Sequence, residues 1–193
     1  MRKALVFAAF FAAFSASSQS HGAGGWPKEP DAVFGIKLGQ ALNDDIVPYC
    51  IDDEPPKPTQ LSLCSEDPRD GRGISEITRL PIPEFGNGFI SRHQGLVSSI
   101  VFYGSNDNYQ HIKDVLVERY GRPTSAKTNT VQNKAGASFK SEELSWRGAR
   151  VSLVLEQRAG RVDDFMLTFT HLPSAKKAQR QSDSRTKDAA GRL

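Results

Sequence analysis

Cys50 and Cys64 are the two cysteines of the chain, and the segment that joins them, CIDDEPPKPTQLSLC, also carries Asp52, Asp53 and Glu54. Sulfur and carboxylate this close could hold a metal, act as a reactive dithiol, or simply close a covalent loop. Spacing separates the first from the last. Zinc sites draw their cysteines from short Cys-x-x-Cys steps, and these two lie far apart. Calcium loops alternate their oxygen ligands and turn on a glycine, whereas these three acids are contiguous. The residues therefore point to a disulfide between Cys50 and Cys64 and to no metal. A closed loop of about 15 residues is worth roughly 3 kcal/mol in the chain-entropy account. Pro55, Pro56 and Pro58 stiffen the loop and keep it out of a central strand, and its acids read as a solvated surface.

Other chemistry is hard to assemble. There is no Gly-x-Ser-x-Gly elbow, no phosphate-binding glycine loop and no His-Glu-x-x-His pair. The histidines are His21, His93, His111 and His171. They fall, in that order, near the N-terminus, at a hairpin turn, early in a helix, and at the end of a strand on its apolar face. Serine and aspartate are abundant, so a Ser/His/Asp set drawn from distant positions carries no weight by composition alone. Asp163 and Asp164 beside a turn read as hairpin chemistry. No catalytic residue and no cofactor is assigned.

The elements that would position any site begin after an export signal. MRK is followed by the apolar run ALVFAAFFAAF and by small and polar residues, the layout of a secretory signal peptide over residues 1–20. The run is too short to span a membrane, which takes about 20 apolar residues. A periplasmic or secreted location follows, and such compartments permit disulfides. Residues 21–31 read as a Gly/Pro linker, 32–172 as one domain, and 173–193 as a basic disordered tail, or a weakly helical one. Hydrophobic residues at 38% and charged residues at 24% suit an ordinary folded domain. The net charge of +3 divides unevenly: Arg2 and Lys3 supply +2 and the tail +4, which leaves −3 for residues 21–172. A mildly acidic domain lacks the basic footprint of a nucleic-acid-binding one. A basic arm touching anionic lipid or nucleic acid is the alternative to a merely solubilising tail.

Within the domain, residues 40–47 predict a short helix stopped by Pro48. GISEITRLPIP alternates as a strand ending at Pro81. Residues 88–92 and 96–103 predict a hairpin turned by HQG. SNDNYQHIKDVLVERYGRP predicts a capped helix with Tyr109, Ile112, Leu116 and Tyr120 on one face, ended by Gly121 and Pro123. Four strands follow: a polar edge strand TSAKTNTVQ, then ASFKSEELSW, RVSLVLEQ and VDDFMLTFTHL. Val151, Leu153 and Leu155, and likewise Phe165, Leu167 and Phe169, alternate with polar residues. That is the pattern of an antiparallel sheet covered on one side. The expected class is α+β, an antiparallel sheet with two helices packed on one face, and a duplicated helix-plus-strands unit stays open.

FGIKLGQAL, GLVSSIVFY, a helix ending LVERYGRP, and LSWRGARVSLVL together resemble small exported bacterial proteins of uncharacterised, DUF-type families. The likeness covers most of residues 34–172, and its motifs are structural, Gly121 as a helix stop and Trp146 for packing. In fold the layout loosely resembles modules of the β-lactamase-inhibitor-protein type, a likeness that carries no function. The expected role is a non-enzymatic envelope module whose polar sheet face, with Arg150, Glu156, Thr168 and Thr170, binds an envelope protein or component. No nucleic acid and no membrane span are expected. The alternative is an envelope hydrolase with a dispersed site, which requires a pocket with convergent acid and base groups.

Overall fold

The computed structural model describes residues 25–50, 63–65 and 73–192. The signal segment, His21, the acids Asp52, Asp53 and Glu54, and the three prolines that follow them lie outside the described residues. A small hairpin pairs β1 (Ala32–Val33) with β2 (Ile36–Lys37). The main sheet is built from β3 (Cys64–Ser65), β4 (Ile74–Thr78), β5 (Asn87–His93), β6 (Leu96–Ser105), β7 (Ser125–Gln132), β8 (Ser138–Arg147), β9 (Val151–Glu156) and β10 (Asp164–His171). Helix α1 (Tyr109–Tyr120) links β6 to β7, and α2 (Leu172–Ala190) follows β10. The class is α+β: a large antiparallel sheet, two helices and a small two-stranded sheet.

The strand order is β3-β4-β5-β6-β10-β9-β8-β7. Each half is a four-strand meander, and the last strands of the two meanders, β6 and β10, meet at the centre over seven paired positions. Local sequence accounts for the turns. β5 and β6 join through Gln94 and Gly95, both at positive φ (53° and 78°), the two-residue turn whose twist matches the strands. The polar strand β7 is an edge, exposed along nearly its whole length.

Period-two alternation puts Ile100, Phe102, Leu144, Trp146, Leu153, Leu155, Phe165, Leu167 and Phe169 on one face, all buried. Helix α1 lies over that face with Tyr109, Ile112, Leu116 and Tyr120 inward, and the Tyr120 and Phe169 rings meet edge-on at 6.0 Å. The inside and outside expected for α1 and for β10 are the ones observed.

Three expectations change. Residues 40–47 form a turn, not a helix. Ile46 and Val47 donate to the Asn43 carbonyl and Asp45 N donates to Asn43 Oδ1, and Pro48 prevents a second turn from forming. The segment 21–31 is not merely a linker. Trp26 is 4% exposed, and its Nε1 donates to Tyr120 O at 2.8 Å. Beyond it, Glu29 accepts from the backbone N–H groups of Ala149, Arg150 and Val151 at 3.1, 2.6 and 2.5 Å. The tail, expected to be disordered or weakly helical, forms helix α2. Its docking is confined to its start, where Ser174 is buried, and residues 179–192 are exposed.

Both tryptophans of the chain serve the same end of α1. The last carbonyls of a helix lack partners within it. Trp26 Nε1 satisfies Tyr120 O, Trp146 Nε1 satisfies Gly121 O at 2.7 Å, and Lys28 Nζ reaches Glu118 O at 3.1 Å. At the other end, Tyr109 Oη and Lys113 Nζ both donate to Glu142 Oε2, at 2.9 and 2.7 Å, tying α1 to β8. Burial works against the charged Glu142 carboxylate, but the bonds from Lys113 and Tyr109 and the Lys113 charge outweigh it and hold the group below the usual glutamate range. A depressed carboxylate contributes stability that is present above its unfolded value, about 4.3, and is lost as pH falls through its folded value. Thermal melts from pH 7 downward should show stability falling once pH drops below that unfolded value. Glu142→Gln should start less stable at neutral pH and lose less on acidification. Parallel pH curves for the two proteins would contradict this role.

Candidate functional site

The opposite face of the sheet has no described element packed on it. Register assembles its side chains into rows that run across the strands. One row is Glu76, Phe89, Val101, Thr168, Val154 and Ser145. The row beside it is Asn87, Tyr103, Met166, Glu156, Glu143 and Lys127. A third holds Ile74, Ser91, Ser99, Thr170 and Ser152 and ends at Arg147. Phe89, Val101, Tyr103, Met166 and Val154 are half-buried, while Ile74 is 56% exposed. The Phe89 and Tyr103 rings meet edge-on at 6.1 Å. The face is therefore an apolar stripe with hydroxyls along one side and the acids Glu156 and Glu143 at its β9–β8 end.

Electrostatics single out one corner. Glu143 and Glu156 sit directly opposite each other on β8 and β9. Like charges so placed oppose folding, and Lys127 Nζ offsets this only in part, at 3.6 Å from Glu143 Oε1. Burial, and then the Glu143 charge, push the Glu156 carboxyl above its ordinary value. At the far edge the Cys50–Cys64 disulfide is formed. Cys64 pairs with Thr78 on β4, and Thr78 Oγ1 lies 3.6 Å from Cys50 Sγ. The bond pins residues 48–50 alongside β3, where Cys50 N donates to Ser65 O and Ser65 N to Pro48 O.

The expected face residues divide. Glu156, Thr168 and Thr170 are on the open face, in three adjacent rows. Arg150 is not. It is exposed in the β8–β9 turn, its N–H bound by Glu29 and its carbonyl by Leu172 N. It continues the parity of Ser152 and Glu156 by number, but the strand begins only at Val151, so alternation does not extend to it. The aromatic members, Phe89 and Tyr103, escaped the sequence reading. For Tyr103 the signal is the unbroken apolar run IVFY in β6, and for Phe89 the adjacent apolar pair Phe89–Ile90 in β5, each marking a strand apolar on both sides.

Among the described residues the histidines give no acid–base set. His93 lies at the β5–β6 turn, and its Nε2 is buried without a partner. His111 is exposed, 3.4 Å from Glu84. His171 Nδ1 lies 2.8 Å from Ser174 Oγ, a contact a nucleophile and its base could make. The charged groups acting on this ring are Arg150 and Lys177, however, where a triad has an acid. Burial first, and then these two cations, lower the His171 pKa. Ser174 is 5% exposed and so closed to substrate. A cleft of about 330 Å³ beside β2 is lined by Ile36, Lys37, Gln40, Leu42 and neighbours, with no acid or histidine among them. Among the described residues no group of His, Cys, Asp and Glu has the arrangement of a metal site, and no helix is long and apolar enough to cross a membrane.

No family model matches this chain, and the searches of curated proteins and of solved structures likewise return no match.

Proposed function

We propose that the chain is an exported binding module of a bacterial envelope, of a kind with the small uncharacterised exported proteins its layout resembles. It docks a protein partner on the open face of its sheet. One observation carries the reading: the sheet leaves this face without any described covering element, yet furnishes it with Phe89, Tyr103 and Met166 beside Glu143 and Glu156. A solvated sheet face has no need of aromatic rings, and interface centres are enriched in aromatic residues and methionine. The acids choose the partner. A lysine or arginine set among apolar side chains would relieve the Glu143–Glu156 repulsion on docking and gain a desolvated ion pair. The signal-like N-terminus and the disulfide between Cys50 and Cys64 support the envelope location.

Glu156→Lys tests this without threatening the fold. It turns a cross-strand repulsion into an attraction, so the melting temperature should hold or rise slightly. Capture of the partner from an envelope extract should fall about tenfold or more, as expected when a desolvated charge pair becomes a clash. Undiminished capture by a folded Glu156→Lys protein would remove the open face from the account. Among the described residues the hydrolase alternative has only the His171–Ser174 contact, which has no acid acting on it and a serine 5% exposed.

A further inference from the structure

We infer that the end of the domain formed by the β8–β9 turn and helix α2 is a second interaction surface, which rests on an anionic lipid bilayer. The turn and the helix enclose a groove of about 770 Å³, with Arg147 on one wall and Lys176 on the other. Arg150 and Lys177 flank it, and their charges add to burial, the larger cause, in lowering the His171 pKa. Arg147, Arg150, Lys176 and Lys177 are all exposed, and none has an ion-pair partner among the described residues. The acid nearest the turn, Glu29, is committed to three backbone N–H groups and stands where a side chain on Gly148 would go.

The array does not converge on one point, as a site for a single small anion would. It continues along α2, whose 19 residues span about 28 Å at 1.5 Å each. Lys176, Arg180 and Lys187, at steps of four and seven, share one helical face. Asp183 interrupts that face and is bonded to Gln179 at 2.7 Å, leaving three cations against one anion. Elsewhere on the segment Lys177, Arg185 and Arg192 add positive charge against Asp188. From Pro173 onward there is no aromatic residue, so α2 lacks the stacking platform that single-stranded nucleic acid uses and the anchors of a protein hot spot. It also lacks the apolar stripe of an inserting amphipathic helix. Diffuse positive charge without anchors matches a diffuse negative surface, held at headgroup level by electrostatics alone.

The test is co-sedimentation of the mature chain with vesicles of phosphatidylcholine alone and of equimolar phosphatidylcholine and phosphatidylglycerol. Binding is expected to the second only, and to fall steeply as salt shortens the screening length. Neutralising one lysine should weaken it about fivefold, and Lys176→Gln with Lys177→Gln about twenty-five-fold. Lys187→Gln, well away from the groove, should cost as much as either single change. Equal binding to both vesicles, or none to either, would overturn the inference, as would binding of duplex DNA while vesicles stay free. Loss on Lys176→Gln with no loss on Lys187→Gln would replace the bilayer by a point anion in the groove. All these lysines are exposed, so melting temperatures should not move, and none of the substitutions alters the open sheet face.

Discussion

Trp146→Ala should destabilise the protein by about 3–5 kcal/mol, the range for emptying a large buried aromatic site. Trp146 is fully buried on β8, between α1 and the sheet, and its Nε1 satisfies Gly121 O where α1 ends. The substitution removes the ring, opens a cavity and orphans a carbonyl together. Against a total of about 5–15 kcal/mol for a domain, this is a large share, and the melting temperature should fall on the order of 10 °C. Trp146→Phe separates the terms. It restores most of the volume but not the hydrogen bond, so about 1 kcal/mol should remain missing. A melt of Trp146→Ala within a degree of the parent would contradict the place given to this residue in the core.

Loss of the Cys50–Cys64 bond is expected to cost about 3 kcal/mol in the chain-entropy account. The bond closes a span of 14 in sequence and ties residues 48–50 to β3, a two-residue strand at the end of the sheet. The double variant Cys50→Ala/Cys64→Ala should melt lower and become more open to proteolysis near residues 48–65. The parent treated with reductant should behave the same way. Mass spectrometry of unreduced, alkylated protein should find no free thiol. Two alkylated cysteines, or a double variant as stable as the parent, would refute the staple.

Alternation made the core legible in advance. Val151/Leu153/Leu155 and Phe165/Leu167/Phe169 each announce one buried face, and the spacing of Tyr109, Ile112, Leu116 and Tyr120 announces a helix over them. The Gly121–Pro123 stop sets the end of α1, whereas Ser105 caps a short 3-10 turn, Asn106–Asn108, that leads into it. What failed was reading short or polar segments without their tertiary partners. Residues 40–47 have helical spacing but room for only one turn before Pro48, and nucleating so short a helix is unfavourable. Residues 26–29 look like linker because Gly and Pro surround them, yet Trp26 and Glu29 serve partners more than 90 positions away. Helix α2 has no apolar periodicity to announce it. Its alanines, lysines and arginines are good helix formers, a weaker signal than the polarity that pointed to disorder.

The open face was legible only in part for a related reason. Thr168, Thr170 and Glu156 declare themselves as the polar side of alternating strands. Phe89 and Tyr103 do not, because nothing in an apolar residue says which face it will take until register is known. Arg150 was misplaced because alternation was carried past the point where β9 begins.

The central claim is that the open face is covered by a protein partner when the chain is at work. Site-specific photo-crosslinking from the face measures that directly. A photoreactive side chain at Met166 or Val154, half-buried positions in the middle of the sheet, should give one discrete heavier species in cells, and Glu156→Lys should abolish it. The same group at Glu118, exposed on α1 on the other side of the molecule, should give none. A crosslinked partner from Met166 and not from Glu118 is the predicted result. Free protein at every position, or the same adducts from both sides, would contradict the claim.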